Sequence, residues 1–282
     1  MELRITHRFT SESIYRGEAA SFKSLVELAV QHEIDLSLAY LAGCDLSDTD
    51  MGKANLSEAN LTGADLKESK LYSAILNGAD LSRADLSEAR LLGAQLAAAD
   101  LTDAILVGAN LYRTNLSRAD LTDADLSRVT LFGSDLTYAR LCGANLFKAN
   151  LKEVDLSGAN LFKAKLLRAK LGRAKLNRVK LTEADMSGAD LSDTYLFRAD
   201  LTKAQLADTI VFKANLTQAD LTGADLTKAS LWGAILVGAN LRRANLSGAN
   251  LHGADFTGAN LEDADLSGVD FSKAVLNEVR GM

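Results

Sequence analysis

Hydrophobic and polar positions repeat along this chain with a period that belongs to neither common secondary-structure element. From Leu36 to Leu276 every fifth residue is Leu, Met, Val or Phe with no break in phase. There are 49 such positions, 44 of them Leu and the others Met51, Met186, Val211, Phe256 and Phe271. Two residues before each stands a small or β-branched residue, Ala in 37 of the 49 cases. A polar residue, most often Asp or Asn, lies between, so the consensus is A-(D/N)-L-(S/T)-x, as in ANLSEANLTGADL at 54–66. On an α-helix, steps of five advance by about 140° and would spiral the leucines around every face. On a flat strand an odd step puts successive leucines on opposite faces. One environment for all of them follows if each five-residue unit ends in a turn and the chain coils about an axis. Glycine agrees: 16 of the 20 glycines fall two residues after the Leu position, as Gly63, Gly143, Gly188 and Gly258 do, where a turn needing positive φ selects them.

The first 34 residues follow other rules. Leu3, Ile5, His7 and Phe9 alternate with polar residues and predict a strand. A turn near TSES and a second short strand around Ile14–Gly17 complete a hairpin. Phe22, Leu25, Val26 and Ala29 then fall at helical spacing behind Ser21 as N-cap, which predicts a helix over about 22–32. The domain reading is therefore 1–34 as a β-hairpin/helix cap, 35–279 as the repeat region, and 280–282 as a tail.

Composition narrows the picture. Aromatic residues make up 6% of the chain, so the core is aliphatic and small, and proline is absent, which suits an uninterrupted backbone ladder. Two cysteines, Cys44 and Cys142, give no disulfide framework. The start, MELRITHRFT, lacks the apolar run of a signal peptide, and no segment approaches the roughly 18 apolar residues of a membrane span. A cytoplasmic protein with no membrane contact is expected. No active site is legible. His7, His32 and His252 are far apart, no metal-ligand spacing occurs, and the aspartates follow the repeat, so neither catalysis nor a cofactor is expected.

The repeat from 35 to 279 resembles the pentapeptide-repeat protein family. That resemblance implies an all-β fold, a right-handed quadrilateral parallel β-helix with four repeats per 20-residue coil. For this chain it implies a solenoid of about 12 four-sided coils, roughly 60 Å long at the spacing of stacked strands. The hairpin and helix would cap its N-terminal end. Only NEVRGM follows the last repeat, so a second copy is expected to cover the C-terminal coil as a homodimer.

If residues 20 apart stack, the sequence unrolls onto four faces. The segment FKAKLLRAKLGRAKLNRVKL at 162–181 has eight basic residues and no acid in a chain of net charge −6. Six of the eight meet an acid one coil away: Lys163 with Glu183, Lys165 with Asp185, Lys170 with Asp190, Arg173 with Asp193, Lys180 with Asp200 and Lys175 with Asp155. Scaffold neutralisation is the expected role. Arg168 stacks on Lys148, while Arg178 and Arg198, beside Tyr195 and Phe197, form a candidate anion or partner knot.

One face breaks the Ser/Thr rule at the position after Leu. It carries Tyr72, Leu92, Tyr112 and Phe132, then Phe212 and Trp232 with Ile210 beside them. Its outward charges sum to +4, against −2, −3 and −5 on the other three. An exposed apolar stripe marks a protein–protein surface, although stacked rings also stiffen a ladder. Nucleic acid is disfavoured, because four net charges spread over the whole face are too few.

The leading expectation is thus a non-enzymatic scaffold or interaction protein with an unidentified protein partner. The alternative is a DNA-mimicking ligand of a type II topoisomerase, DNA gyrase, which the family resemblance implies through its quinolone-resistance members. Its candidate acidic columns are Asp45, Asp65 and Asp85, Asp48, Glu68 and Glu88, and Asp80, Asp100 and Asp120.

Overall fold

A computed structural model describes residues 1–282. It divides the chain into two compact units, Met1–Arg140 and Leu141–Met282.

The first unit opens with strand β1 (Glu2–His7), strand β2 (Ser13–Glu18) and helix α1 (Phe22–Gln31). Ser21 caps the helix by accepting the Ser24 amide at 3.1 Å, satisfying one of the free donors of the first turn. Leu25, Val26 and Ala29 form its buried face. A short strand β3 (Ala39–Tyr40) completes a three-stranded sheet of order β2-β1-β3, antiparallel throughout. β1 therefore covers the first rung of the repeat region, which would otherwise expose a row of unsatisfied backbone groups. The alternation of Leu3 and Ile5 with Arg4 and Thr6 gives β1 one covered face, and Ile5 is fully buried.

From Tyr40 onward the first unit is a ladder of single parallel bridges between residues 20 apart, such as Tyr40↔Asn60, Asp45↔Asp65 and Asp50↔Lys70. Up to Leu121 the five-residue units of the first unit use their amides in the same way. The Leu46 amide donates forward to Asp65 O at 2.7 Å, and the Asp65 amide donates back to Cys44 O at 3.0 Å. A turn closes between them: the Ala64 amide reaches Leu61 O at 3.0 Å. Its third residue, Gly63, has φ +63, the left-handed value that a type II turn requires there. Many corners hold the same conformation without glycine, among them Arg83 at φ 58 and Tyr138 at φ 58. The second unit repeats the pattern, as in Asn145↔Lys165, Lys165↔Asp185 and Asp185↔Gln205.

Within each unit the Leu and Ala positions point inward and are almost all inaccessible to water. The odd period is reconciled in this way: a turn every five residues resets the direction of the chain, so each unit contributes its Leu and Ala to one shared core. The last coil differs. Leu266, Val269, Phe271, Ala274 and Leu276 are only half-buried. The Phe271 ring packs edge-on against the fully buried Phe256, with centroids 6.2 Å apart.

Candidate partner-binding surface

In the first unit the bridges Asp50↔Lys70↔Arg90↔Asn110↔Thr130 run up one face. Tyr72, Leu92, Tyr112 and Phe132 stand two positions along from Lys70, Arg90, Asn110 and Thr130, on the same face. Tyr72 is 39% exposed and Leu92 46%. Tyr112 and Phe132 stack, with centroids 5.5 Å apart and planes 6° from parallel, so each covers one face of the other. The Arg113 guanidinium lies 5.1 Å over the Tyr112 ring. Tyr72 folds back over Gly52: a Cβ at residue 52 would fall 2.2 Å from the Tyr72 ring.

The second unit holds the other run. Phe212 and Trp232 stack at 4.8 Å and 8°, and His252 continues the stack 6.1 Å from Trp232. Lys213 sits over both larger rings, at 5.1 and 5.9 Å. Ile210 is 47% exposed beside them. Sequence reasoning did not name His252 as a third ring of this column, and it missed Arg113 and Lys213 as ring partners. The signal was there, since a basic residue directly follows the aromatic in both cases.

The Arg178 and Arg198 pair is looser than expected. Arg198 donates from Nε to Gln218 Oε1 at 2.7 Å and lies 5.1 Å over Phe197, while Tyr195 is 53% exposed. Arg178 joins the group through its backbone amide, which donates to Phe197 O.

The basic belt is neutralised less evenly than stacking suggests. Lys163 pairs with Glu183 at 3.5 Å and Lys175 with Asp155 at 3.3 Å. Arg173 turns to Glu153 at 3.7 Å and away from Asp193, the partner expected from sequence. Lys165, Lys170 and Lys180 bridge to Asp185, Asp190 and Asp200 through the backbone, without an ion pair. The basic side chains are exposed and their acids exposed to half-buried, so each pair contributes about 0–1 kcal/mol.

The acidic columns stand in register in the first unit, as Asp45↔Asp65↔Asp85 and Asn60↔Asp80↔Asp100↔Asp120. Asp48, Glu68 and Glu88 occupy left-handed corners at φ 55, 57 and 58. One oxygen of most ladder aspartates is committed to the scaffold. Asp80 Oδ1 accepts the Ser82 amide at 3.1 Å and the Ser82 hydroxyl at 2.7 Å, an Asx turn closed two residues on. Asp100 accepts the Thr102 amide at 2.9 Å, and Asp120 the Thr122 amide at 3.0 Å. Partial burial favours the neutral form of Asp85, but hydrogen bonds from the Ser87 hydroxyl and amide and from Lys67 outweigh it, so its pKa is lowered. Lys67 bridges Asp85 at 3.1 Å and Asp65 at 3.2 Å, and both raise its pKa. Burial of the Cys44 thiol pushes its pKa up, and both cysteines are free.

These features define a class, a parallel ladder protein built from five-residue turns. The profile described as pentapeptide repeats (8 copies) matches the chain in overlapping stretches from 34–71 to 244–280. The chain belongs to the pentapeptide-repeat family. It is 36% identical to HetL, a pentapeptide repeat protein involved in heterocyst differentiation regulation from the cyanobacterium Nostoc sp. strain PCC 7120, over 86% of this chain and 95% of HetL, with TM-score 0.33. It is 42% identical to Rfr23 from the cyanobacterium Cyanothece 51142 over 32% of this chain and 63% of that one, with TM-score 0.32. To QnrB1, a plasmid-mediated fluoroquinolone resistance protein, it is 20% identical over 61% and 84%, with TM-score 0.30. A search of curated proteins gives no match. Pentapeptide-repeat proteins form right-handed quadrilateral β-helices and are in general non-enzymatic structural or interaction proteins. No helix of the chain is long and apolar enough to cross a membrane.

Proposed function

We propose that the chain is a non-enzymatic interaction protein that winds as a right-handed four-sided solenoid of about 12 coils, with residues 1–34 as its cap and 35–279 as the repeat region. It presents the columns Tyr72, Leu92, Tyr112, Phe132 and Ile210, Phe212, Trp232 to a protein partner. One observation carries this reading. Tyr72 and Leu92 leave large side chains 39% and 46% exposed, at the position where the repeat most often uses Ser or Thr. Ring stacking accounts for Tyr112 with Phe132 and for Phe212 with Trp232, but Leu92 has no such reason to stand there. The test is affinity capture from lysate with the native protein and a variant carrying Tyr72→Ser, Leu92→Thr, Tyr112→Thr and Trp232→Ser, with folding checked by circular dichroism. A partner lost with the variant supports the reading, and a partner held equally by both removes it.

The cytoplasmic assignment belongs to the same proposal and rests on the two free thiols. So does a homodimer through the last coil, where half-buried Leu266, Phe271 and Leu276 lack the cover that β1 and α1 give the first coil. A monomeric mass in light scattering at micromolar concentration removes the dimer. The second functional reading, a DNA-mimicking ligand of gyrase, draws on the in-register Asp80, Asp100 and Asp120. Their Asx-turn bonds make them scaffold groups first. Unchanged supercoiling by gyrase at tens of micromolar protein retires that reading.

A further inference from the structure

We infer that the apolar column of the first unit takes an acidic amphipathic α-helix of a protein partner, lying along the ladder axis; this rests on the docking-surface reading above. The argument for a helix begins with the backbone. Along this face the amides and carbonyls are already spent on neighbouring rungs: Leu71 N donates to Arg90 O at 2.8 Å, Ser73 N to Leu92 O at 2.9 Å and Leu91 N to Asn110 O at 2.8 Å. An added strand would find no backbone partners here. A helix arrives with its own backbone satisfied and needs only side-chain contact. The spacing also fits. Outward side chains in one column repeat about every 4.8 Å, and turns of a helix about every 5.4 Å. Over the three steps from Tyr72 to Phe132, roughly 14 Å in all, the two periods stay close to phase. A helix of about ten residues covers that length.

The rings narrow the choice further. Tyr112 and Phe132 are stacked on each other, with Arg113 over the tyrosine, so each ring has one face covered by its neighbour and leaves its edge outward beside Leu92. Bases of a single strand bind by stacking on free ring faces, and the two facing ring surfaces of this pair are already used on each other. A ridge of ring edges and the Leu92 side chain instead suits the groove between side-chain rows of a helix.

Charge sets the chemistry of the partner. The outward charged residues of this face in the first unit are Lys53, Lys70, Arg90 and Arg113 against Asp50 alone. Asp50 is taken up by Lys70 at 3.6 Å. Lys53, Arg90 and Arg113 have no carboxylate within ion-pair distance, and Lys70 and Arg90 bridge as neighbouring rungs, a like-charge pair. Carboxylates on both flanks of an apolar helix stripe would relieve that repulsion and neutralise the unpaired cations. The neighbouring face, with Asp45, Asp65 and Asp85 in register, would repel a helix displaced toward it and so limits its position.

The test uses the full chain and three fluorescently labelled probes in anisotropy titrations. They are a designed helix with a leucine stripe flanked by Glu, the same helix flanked by Lys, and a single-stranded DNA oligomer. We expect saturable binding of the Glu helix, weakened about tenfold or more by Arg90→Glu with Arg113→Glu, which at the same time favours the Lys helix. The milder pair Arg90→Gln and Arg113→Gln, with circular dichroism, guards against loss of fold. Tyr72→Ser with Leu92→Thr should weaken both helices. Equal binding of the Glu and Lys helices, tighter binding of DNA than of either, or no binding of the Glu helix overturns the inference. If it falls while the column variant still loses its captured partner, the docking surface stands and only the acidic helix is wrong. If the capture is also unaffected, both fall.

Discussion

The Phe212 and Trp232 rings lie 4.8 Å apart and 8° from parallel, although twenty residues separate them in sequence. The contact exists only because the single coil that separates them closes in register, one rung on the next. Trp232 is the sole tryptophan, so its emission reports on this stack, which also includes His252 and Lys213. A double-mutant cycle of Phe212→Ser and Trp232→Ser should return a coupling of about 0.5–1.5 kcal/mol in denaturant unfolding. Phe212→Ser alone should change the tryptophan emission of the folded protein. Strict additivity would mean that the stack contributes nothing.

Two glycines separate two kinds of cost. Gly63 has φ +63 and open space where a Cβ would stand, so Gly63→Ala should lose about 1 kcal/mol from backbone conformation alone. At Gly52 no positive φ applies, but the Tyr72 ring fills the Cβ position. Gly52→Ala should destabilise by displacing that ring, and adding Tyr72→Ser should restore most of the loss. Urea midpoints of the three variants check both statements.

Ser69 is fully buried, and its hydroxyl has no hydrogen-bond partner. It occupies a slot where the repeat usually has Ala. Ser69→Ala should therefore raise stability by about 1–3 kcal/mol. The same change at Ser134 should lower it, because that hydroxyl donates to Leu111 O at 2.6 Å and accepts the Thr114 amide at 3.1 Å. Thermal unfolding of the two single variants decides between them.

Acid should unfold the ladder late. Burial raises the pKa values of Asp80, Asp85, Asp155 and Asp200, yet hydrogen bonds from Ser82, Ser87, Ser157 and Thr202 and their neighbours bring each below its ordinary value. A carboxylate lowered in the folded state stabilises above its unfolded value, near 3.8, and loses that contribution as pH falls through the lower folded one. Melting temperature should stay flat from pH 7 to about 5 and drop steeply below 4. Asp85→Asn should shallow the drop, since an amide oxygen keeps the Asx turn without titrating.

The repeat made the fold legible because a single phase, held over 49 positions, fixes which side chains face inward. The corners followed from glycine, and Ser21 marked the start of α1. Sequence failed where long side chains choose among neighbours. Arg173 has Asp193 one coil on and Glu153 one coil back, both in the same column, and rotamer choice sends it to Glu153. Stacking also names which rings share a column but not how they tilt. The parallel planes of Tyr112 and Phe132, and with them the covering of one face of each ring, appear only in three dimensions.

The parallel bridges at an interval of twenty make the surface pattern of each unit sensitive to the arithmetic of the gene. Removing twenty residues between Tyr72 and Tyr112 would shorten the column by one rung and leave everything else aligned. Removing five there would preserve every Leu and Ala in its slot, and the core would close as before. The residues beyond the cut would nonetheless rotate by a quarter turn, carrying Tyr112 and Phe132 away from Tyr72 and onto an adjoining side. For this architecture, frame means position on a clock face as well as reading of codons, and a lesion silent to folding can still erase a binding site.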